Sequence, residues 1–455
     1  MPKPNLLFVF SDQHRSCDLN CYGNTAVATP HIDSFARTGV RFTNAISNCP
    51  LCVPVRGSLF TGLYPWHHRA LSNDLPIRTD LESTATVLNR AAYHTGYIGK
   101  WHLGGIPRDK AIPNGERLDF TEWKAYNCNH NYSKGFYFDE NDIRHDMKKH
   151  SCIEETSLAV DFIERNHDDP WALTLSWEPP HDPYFDAPEE YLSMYRSAGI
   201  TLRPNVGQTA LHSPKKTFTR DEIAERLRGY YALISLIDDQ FGRLIETLKR
   251  TGQYENTIVV YTSDHGDMHG SHGFTNKQLP YAESVNVPLI VSWPGHTYTG
   301  VTDEIISLTD LPVSLLGLMH LSFASHVDGD DLSALFTDEH APGTDGAIIC
   351  DLVPCHQAED RGADAWVGIK TRTHTYVRET KGPTMLFDDI ADPYQMRNLV
   401  SNTNATDTMR SMAAMLERIS EKHGLRFRPW QDFVIEEGYR DAWNASQVYF
   451  KRATL

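Results

Sequence analysis

Cys52, Pro54, Arg56, Thr61 and Gly62 stand in one run, Cys52-Val53-Pro54-Val55-Arg56-Gly57-Ser58-Leu59-Phe60-Thr61-Gly62. Proline is favoured in the first turn of a helix, so the run reads as a helix that begins at Cys52. The side chain at 52 then meets unsatisfied N–H groups and the positive end of the helix dipole, a good place for an anion. Arg56 lies four residues on, on the same helical face, where it can hydrogen-bond the side chain at 52 and share an anion's charge. Two plainer readings stand beside this one. Cys52 is a buried core thiol, or Cys49-Pro50-Leu51-Cys52 is a redox pair or zinc half-site. No second pair at metal spacing accompanies it.

Asp12 and Gln13 follow the apolar run Asn5–Phe10, and Asp264 and His265 follow Thr257–Thr262. Two acids at the ends of buried strands need a counter-charge, and a divalent cation supplies one. A post-strand Asp on its own is more often a helix cap than a ligand. Lys100 and His102 are two residues apart, so on an extended segment they point the same way and can reach one anion. His181 sits in Pro179-Pro180-His181-Asp182-Pro183, and Lys277 ends His272-Gly273-Phe274-Thr275-Asn276-Lys277. His272 reads equally as structural support or as a substrate contact.

The Cys52 run matches C-x-P-x-R-x(4)-T-G at every fixed position and so resembles the signature of the type I sulfatases, in the alkaline-phosphatase-like superfamily. Gly99-Lys100-Trp101-His102-Leu103-Gly104 is similar to that family's G-K-W-H-x-G, His181 to its P-P-H-x-P loop, and Lys277 to its H-G-x-x-x-K segment. Leu386-Phe387-Asp388-Asp389-Ile390-Ala391-Asp392-Pro393-Tyr394 looks like its C-terminal L-Y-D-L-x-x-D-P-x element. The likeness weakens over 105–150, 184–220 and 320–385, where substrate preference is expected to reside. The commonest metal pattern in the family is Asp-Asp with Asp-Asn. Here it is Asp-Gln with Asp-His, as in its choline-sulfatase, phosphonate-monoester-hydrolase and some polysaccharide-sulfatase branches.

The resemblance implies a hydrolase for the sulfate ester of a sulfated carbohydrate. It implies that Cys52 is converted to formylglycine by a maturation enzyme. It further implies one metal, calcium, held by Asp12, Gln13, Asp264, His265 and residue 52. Magnesium or manganese is the alternative, since a His nitrogen is an unusual calcium ligand. Arg56, Lys100 and Lys277 would neutralise the sulfate. Asp264 would help deprotonate the attacking hydroxyl of the hydrated aldehyde, His102 would assist its collapse, and His181 with Lys277 would protonate the departing sugar oxygen. Three other functions compete: a phosphonate monoester or phosphodiester hydrolase on the same scaffold, a degenerate binding module, and a C-x-x-C oxidoreductase.

The elements that must carry these groups alternate. Short apolar strands and helices follow one another to about residue 330, and Asp221–Arg250 is the longest helical pattern. This fits an α/β fold with a large doubly wound, mostly parallel sheet flanked by helices, over residues 1–340. Short strands and a helix over 407–422 then read as a smaller C-terminal α+β subdomain, 341–455. Three prolines make 177–183 a loop, 203–217 reads as another, and 105–150 as an excursion with little regular structure. Within that excursion Trp123 and Tyr126 are candidates to stack on sugar rings, or to form a small satellite core.

Composition sets outer bounds. The chain has 455 residues and a net charge of −16, which argues against a general affinity for nucleic acid but allows a local cationic pocket. Eight cysteines are too sparse for a disulfide scaffold. No stretch reaches the ~20 apolar residues of a membrane helix, and no phosphate-loop or G-x-S-x-G motif occurs. Leu6–Phe10 is shorter than the roughly 7–15 residues of a signal-peptide core. The expected location is therefore cytoplasmic, or periplasmic if an export signal has been trimmed. A homo-oligomer is compatible with all of this.

Overall fold

The computed structural model describes residues 3–359 and 361–452. Residue 360 and the last three residues of the expected 341–455 subdomain lie outside that set. The strand Asn5–Asp12 is buried at every position. Leu6, Phe8 and Phe10 join Val53, Leu59 and Phe60 in one core, while Leu7 and Val9 join Phe241 and Leu244 in another. A strand covered on both faces has no reason to alternate with polar residues, which is why its stretch Leu6–Phe10 is continuously apolar.

Ten strands form the main sheet in the order Gly300–Ser307, Val40–Ile46, Asn286–Ser292, Thr257–Ser263, Asn5–Asp12, Trp171–Pro180, His94–Lys100, Glu122–Tyr126, Phe136–Asp139 and Arg144–Asp146. Five of its nine pairings are parallel and four antiparallel, so the sheet is mixed. The four central strands from Thr257–Ser263 to His94–Lys100 all run parallel. Their carboxyl ends therefore lie side by side, the edge where open α/β sheets bind ligands. The helix Arg220–Arg250 covers one face and opens with a reciprocal Thr219–Glu222 capping box.

Three expected loops contain strands. Trp171–Pro180 continues through Pro179 and Pro180. Its neighbour on one side has its last paired residue opposite Ser176, so the prolines face no ladder there. Residues Thr209–Ser213 and Lys216–Thr219 form a hairpin that starts in the expected 203–217 loop and ends beyond it. Glu122–Tyr126 joins the main sheet parallel to His94–Lys100.

That last pairing overturns the stacking role considered for Trp123 and Tyr126. Trp123 is fully buried, 5.2 Å from the ring of Tyr97 and 5.1 Å from that of Trp101. Tyr126 is buried with Phe136 and Met147. Strand pairing turns both side chains into the core, away from any sugar. His68 is likewise internal, its ring lying where a β-carbon on Gly57 would sit.

A second sheet of four antiparallel strands spans Ala347–Asp351, Trp366–Lys370, His374–Glu379 and Gly382–Asp388. With the helix Thr406–Lys422 it packs Ile348, Cys350, Ile369, Met412 and Leu416 against Cys49, Leu51, Tyr64 and Leu71. The C-terminal part thus buttresses the segments on either side of the helix that carries Cys52. Among the described residues no helix is long and apolar enough to cross a membrane.

Candidate active site

Cys52 is the first residue of the helix Cys52–Thr61, and Leu51 caps it without a side-chain hydrogen bond. Instead Asn73 Oδ1 accepts from the Val53 N–H at 3.1 Å. The Cys52 Sγ lies 3.2 Å from His265 Nε2 and 3.8 Å from Asp12 Oδ1. Cys49, its partner in the C-x-x-C reading, is buried in the C-terminal core instead, and neither thiol forms a disulfide.

Asp12, Cys52, Asp264 and His265 each offer a ligand atom within 4.8 Å of the others, and all four residues are buried. Two carboxylates without water need positive neighbours. Arg56 meets both, with Nη2 3.0 Å from Asp12 Oδ2 and Nε 3.2 Å from Asp264 Oδ2. Its Nη1 donates to the Lys100 carbonyl at 2.7 Å and to Ser176 Oγ at 2.8 Å. The donors expected to reach the side chain at 52 therefore serve the carboxylates and the neighbouring strands. Lys100 Nζ stands 2.8 Å from Asp12 Oδ2. Burial would push the Asp12 carboxyl up, but Lys100, His181, Arg56 and His265 together pull it well below the usual range. His265 Nδ1 lies 2.9 Å from the Gly266 carbonyl, so Nδ1 carries the proton in the neutral ring and Nε2 presents a lone pair to the cluster. Two carboxylates and an imidazole nitrogen converging in a buried site suit a divalent cation.

Gln13 holds a left-handed backbone, φ 68°. Its N–H donates to Asp264 Oδ1 at 3.0 Å, its Nε2 to Asp267 Oδ2 at 2.5 Å, and its Oε1 accepts from Lys277 Nζ at 2.5 Å. Lys277 Nζ also donates to His181 Nε2 at 2.8 Å. Burial, and then Lys277, hold His181 well below the usual histidine range.

Lys100 follows Gly99, whose φ of 104° and close approach to the Ser176 carbonyl exclude a side chain. His102 also has a positive φ, 60°, a strained conformation for histidine. Both its ring nitrogens are buried without a hydrogen-bond partner among the described residues. Burial and Lys100 keep the ring neutral. His272 is elsewhere: its ring stacks on Tyr281 at 3.8 Å and meets Asn205 Nδ2 at 3.1 Å. Those contacts are the supporting kind.

Glu178 escaped sequence reasoning. It is fully buried, with Oε1 3.1 Å from Lys100 Nζ and 3.4 Å from His130 Nδ1. Burial raises its carboxyl to about 7. The available signal was an acid inside an apolar strand, two residues after Ser176 and therefore on the same face. Asn73 gave no such signal.

The sulfatase family model matches residues 4–321, and a model of the C-terminal region of N-sulphoglucosamine sulphohydrolase matches 270–422. An ulvan-active sulfatase of Formosa agariphila is 34% identical over 444 residues, covering 96% of this chain and 84% of that protein. An endo-4-O-sulfatase of Bacteroides thetaiotaomicron is 31% identical, covering 92% of each chain. A solved Bacteroides thetaiotaomicron structure, from work on the metabolism of multiple glycosaminoglycans, superposes with a TM-score of 0.81 at 29% identity. That superposition covers 92% of this chain and 97% of the other.

Proposed function

Because the chain belongs to the sulfatase family, we propose that it removes sulfate from a sulfated poly- or oligosaccharide, with residue 52 acting in its formylglycine form beside one calcium ion. The observation that carries this reading is the convergence of Cys52 with Asp12, Asp264 and His265, tied together by Arg56. The ulvan-active and endo-4-O-sulfatase relatives support a carbohydrate substrate. A separate maturation enzyme would install the aldehyde.

Asp12, Asp264 and His265, joined by Gln13 Oε1 and the oxygen of residue 52, would hold the cation. When bound it polarises the ester oxygens and makes a hydroxyl at residue 52 more acidic. The hydrated aldehyde offers a second hydroxyl through which sulfate can later be expelled, an exit that a thiol lacks.

The remaining chemistry belongs to the chain. Lys100 and Lys277 are buried ammonium groups that balance the charge of the sulfate. Arg56 holds Asp12 and Asp264 in one orientation. Asp264 takes the proton of the attacking hydroxyl. Lys277 and His181, in contact at 2.8 Å, deliver a proton to the departing sugar oxygen. His102, neutral and with both nitrogens unengaged, accepts the proton lost when sulfate leaves residue 52.

Free sulfate released from ulvan and chondroitin 4-sulfate oligosaccharides tests the reading, with a phosphonate monoester assayed in parallel. The expected result is sulfate release from at least one oligosaccharide and weaker phosphonate turnover. Protein that carries the aldehyde yet hydrolyses only the phosphonate overturns it.

A further inference from the structure

We propose that Arg226 is a specificity-determining residue that reads a second anionic group, a carboxylate or a further sulfate, on the sugar chain whose sulfate ester is cut. The proposal rests on the function proposed above. It starts from the hairpin Thr209–Ser213 and Lys216–Thr219. Leu211 N–H donates to the Gly273 carbonyl at 2.7 Å, and His212 Nδ1 lies 2.9 Å from Thr275 Oγ1 and 3.2 Å from Asn276 Nδ2. Asn276 adjoins Lys277, so the hairpin borders the segment that supplies the leaving-group proton.

Arg226 rises from the helix Arg220–Arg250 between two aromatic rings. Its guanidinium carbon is 4.4 Å from the centre of Phe218, on the hairpin, and 4.8 Å from the centre of Tyr184. Tyr184 reaches the site directly, since its hydroxyl donates to Asp267 Oδ2 at 3.1 Å and accepts from Gln13 Nε2 at 3.3 Å. One side chain therefore separates Arg226 from Gln13, the neighbour of Asp12.

The rings fix where the guanidinium lies and leave its N–H donors unengaged among the described residues. Among the described residues no carboxylate lies within ion-pair distance of Arg226 and none accepts a hydrogen bond from it. The neighbouring Arg228, by contrast, pairs with Glu225. Lys216 sits 4.8 Å from the centre of Phe218, and it too has no ion pair among the described residues. The titratable groups facing Arg226 include Asp182, beyond ion-pair reach, His212 and His269, with Asp267 behind Tyr184.

This matters because the chain carries a net charge of −16. At long range such a protein repels a polyanion, so a sulfated polysaccharide needs a local cationic approach. A planar guanidinium is suited to a carboxylate or sulfate, which it can bind with two parallel hydrogen bonds. A cation already held on two rings loses little freedom on binding.

The test compares Arg226→Ala and Arg226→Lys with the unaltered enzyme on p-nitrophenyl sulfate and on tetrasaccharides from ulvan and chondroitin 4-sulfate. Each tetrasaccharide is used intact and with its carboxyl groups reduced. Arg226→Ala should lower the ratio of kcat/KM on the intact tetrasaccharide to that on p-nitrophenyl sulfate about tenfold, mainly through KM. Arg226→Lys should recover part of it. If carboxyl reduction abolishes the difference between enzyme and variant, a carboxylate is what is read. If the difference survives reduction, it is a second sulfate. The same tetrasaccharides are titrated calorimetrically into Cys52→Ala protein with and without Arg226→Ala, so that binding is read apart from turnover. Equal losses on the small and large esters, or equal tetrasaccharide affinity with and without Arg226, overturn the proposal. Turnover of p-nitrophenyl sulfate by the unaltered enzyme reports separately on the underlying catalytic reading.

Discussion

Lys277 Nζ lies 2.8 Å from His181 Nε2, while the other ring nitrogen of His181 lies 2.8 Å from the Asp182 carbonyl. A carbonyl only accepts, so Nδ1 of His181 carries the proton and Nε2 accepts a hydrogen bond from Lys277. On the function proposed above, the acid for the leaving group would be this pair, with the lysine as its proton store.

Removing that store should hurt most where protonation is most needed. Lys277→Ala and His181→Ala are each expected to lower kcat by about 10²–10³ on alkyl or sugar sulfates. The loss should be much smaller on p-nitrophenyl sulfate, whose phenolate leaves without help. The measurement is the dependence of rate on leaving-group pKa, which should steepen in both variants. Equal losses across the series would leave Lys277 only a charge-balancing role.

Much of this arrangement could be read from the residue string, and what could not has physical reasons. The Cys52 helix was legible because Pro54 and Arg56 have fixed spacings, and Asp12 and Asp264 because each follows an uninterrupted apolar run. The strand through Pro180 was not, because proline's missing donor matters only where a neighbour needs it, and pairing opposite Ser176 is the last on that side. Trp123 was ambiguous because a strand at the sheet's margin and a loop near a site share the same composition. Glu178 and Arg226 depend on tertiary neighbours, Lys100 and Phe218, that lie 78 and 8 residues away and have no periodic relation to them.

Maturation of residue 52 has a mass signature. Conversion of the thiol to the aldehyde should lighten the tryptic peptide that contains Cys52 by ~18 Da in active preparations. Cys52→Ala should abolish turnover and leave thermal unfolding nearly unchanged, since Sγ touches His265 and Asp12 rather than the apolar core. Full activity in that variant would defeat the nucleophile assignment.

Arg56 neutralises Asp12 and Asp264, and on the function proposed above a bound cation would do the same, so each should partly compensate for loss of the other. Lysine at position 56 cannot span both carboxylates as the guanidinium does at 3.0 and 3.2 Å. Arg56→Lys should cost roughly 3–5 kcal/mol of stability, the usual penalty for leaving a buried charge underpaired. Added calcium should restore a larger share of Tm in this variant than it adds to the unaltered protein. Chelation should abolish activity in the unaltered enzyme, and calcium should bring it back. A calcium-induced rise in Tm of the same size in both proteins would separate Arg56 from the cation site.

Glu155 makes a prediction about stability rather than catalysis. It is fully buried in the helix Ser151–Arg165, where its carboxyl faces the Tyr126 hydroxyl and no cation among the described residues pairs with it. Burial, opposed by the Tyr126 hydroxyl and helped by a smaller push from Glu178, raises its pKa from the ordinary 4.5 to about 8. Between those two values the folded chain keeps a proton that the unfolded chain has released. Stability contributed by this group therefore falls as pH rises from about 4.5 to about 8 and is level above that window. Glu155→Gln keeps the shape and removes the titration. Urea unfolding from pH 5 to pH 9 should show the unaltered protein losing stability more steeply, with Glu155→Gln the more stable of the two at pH 9. Parallel curves across that range would mean that the Glu155 carboxyl already ionises freely in the folded chain.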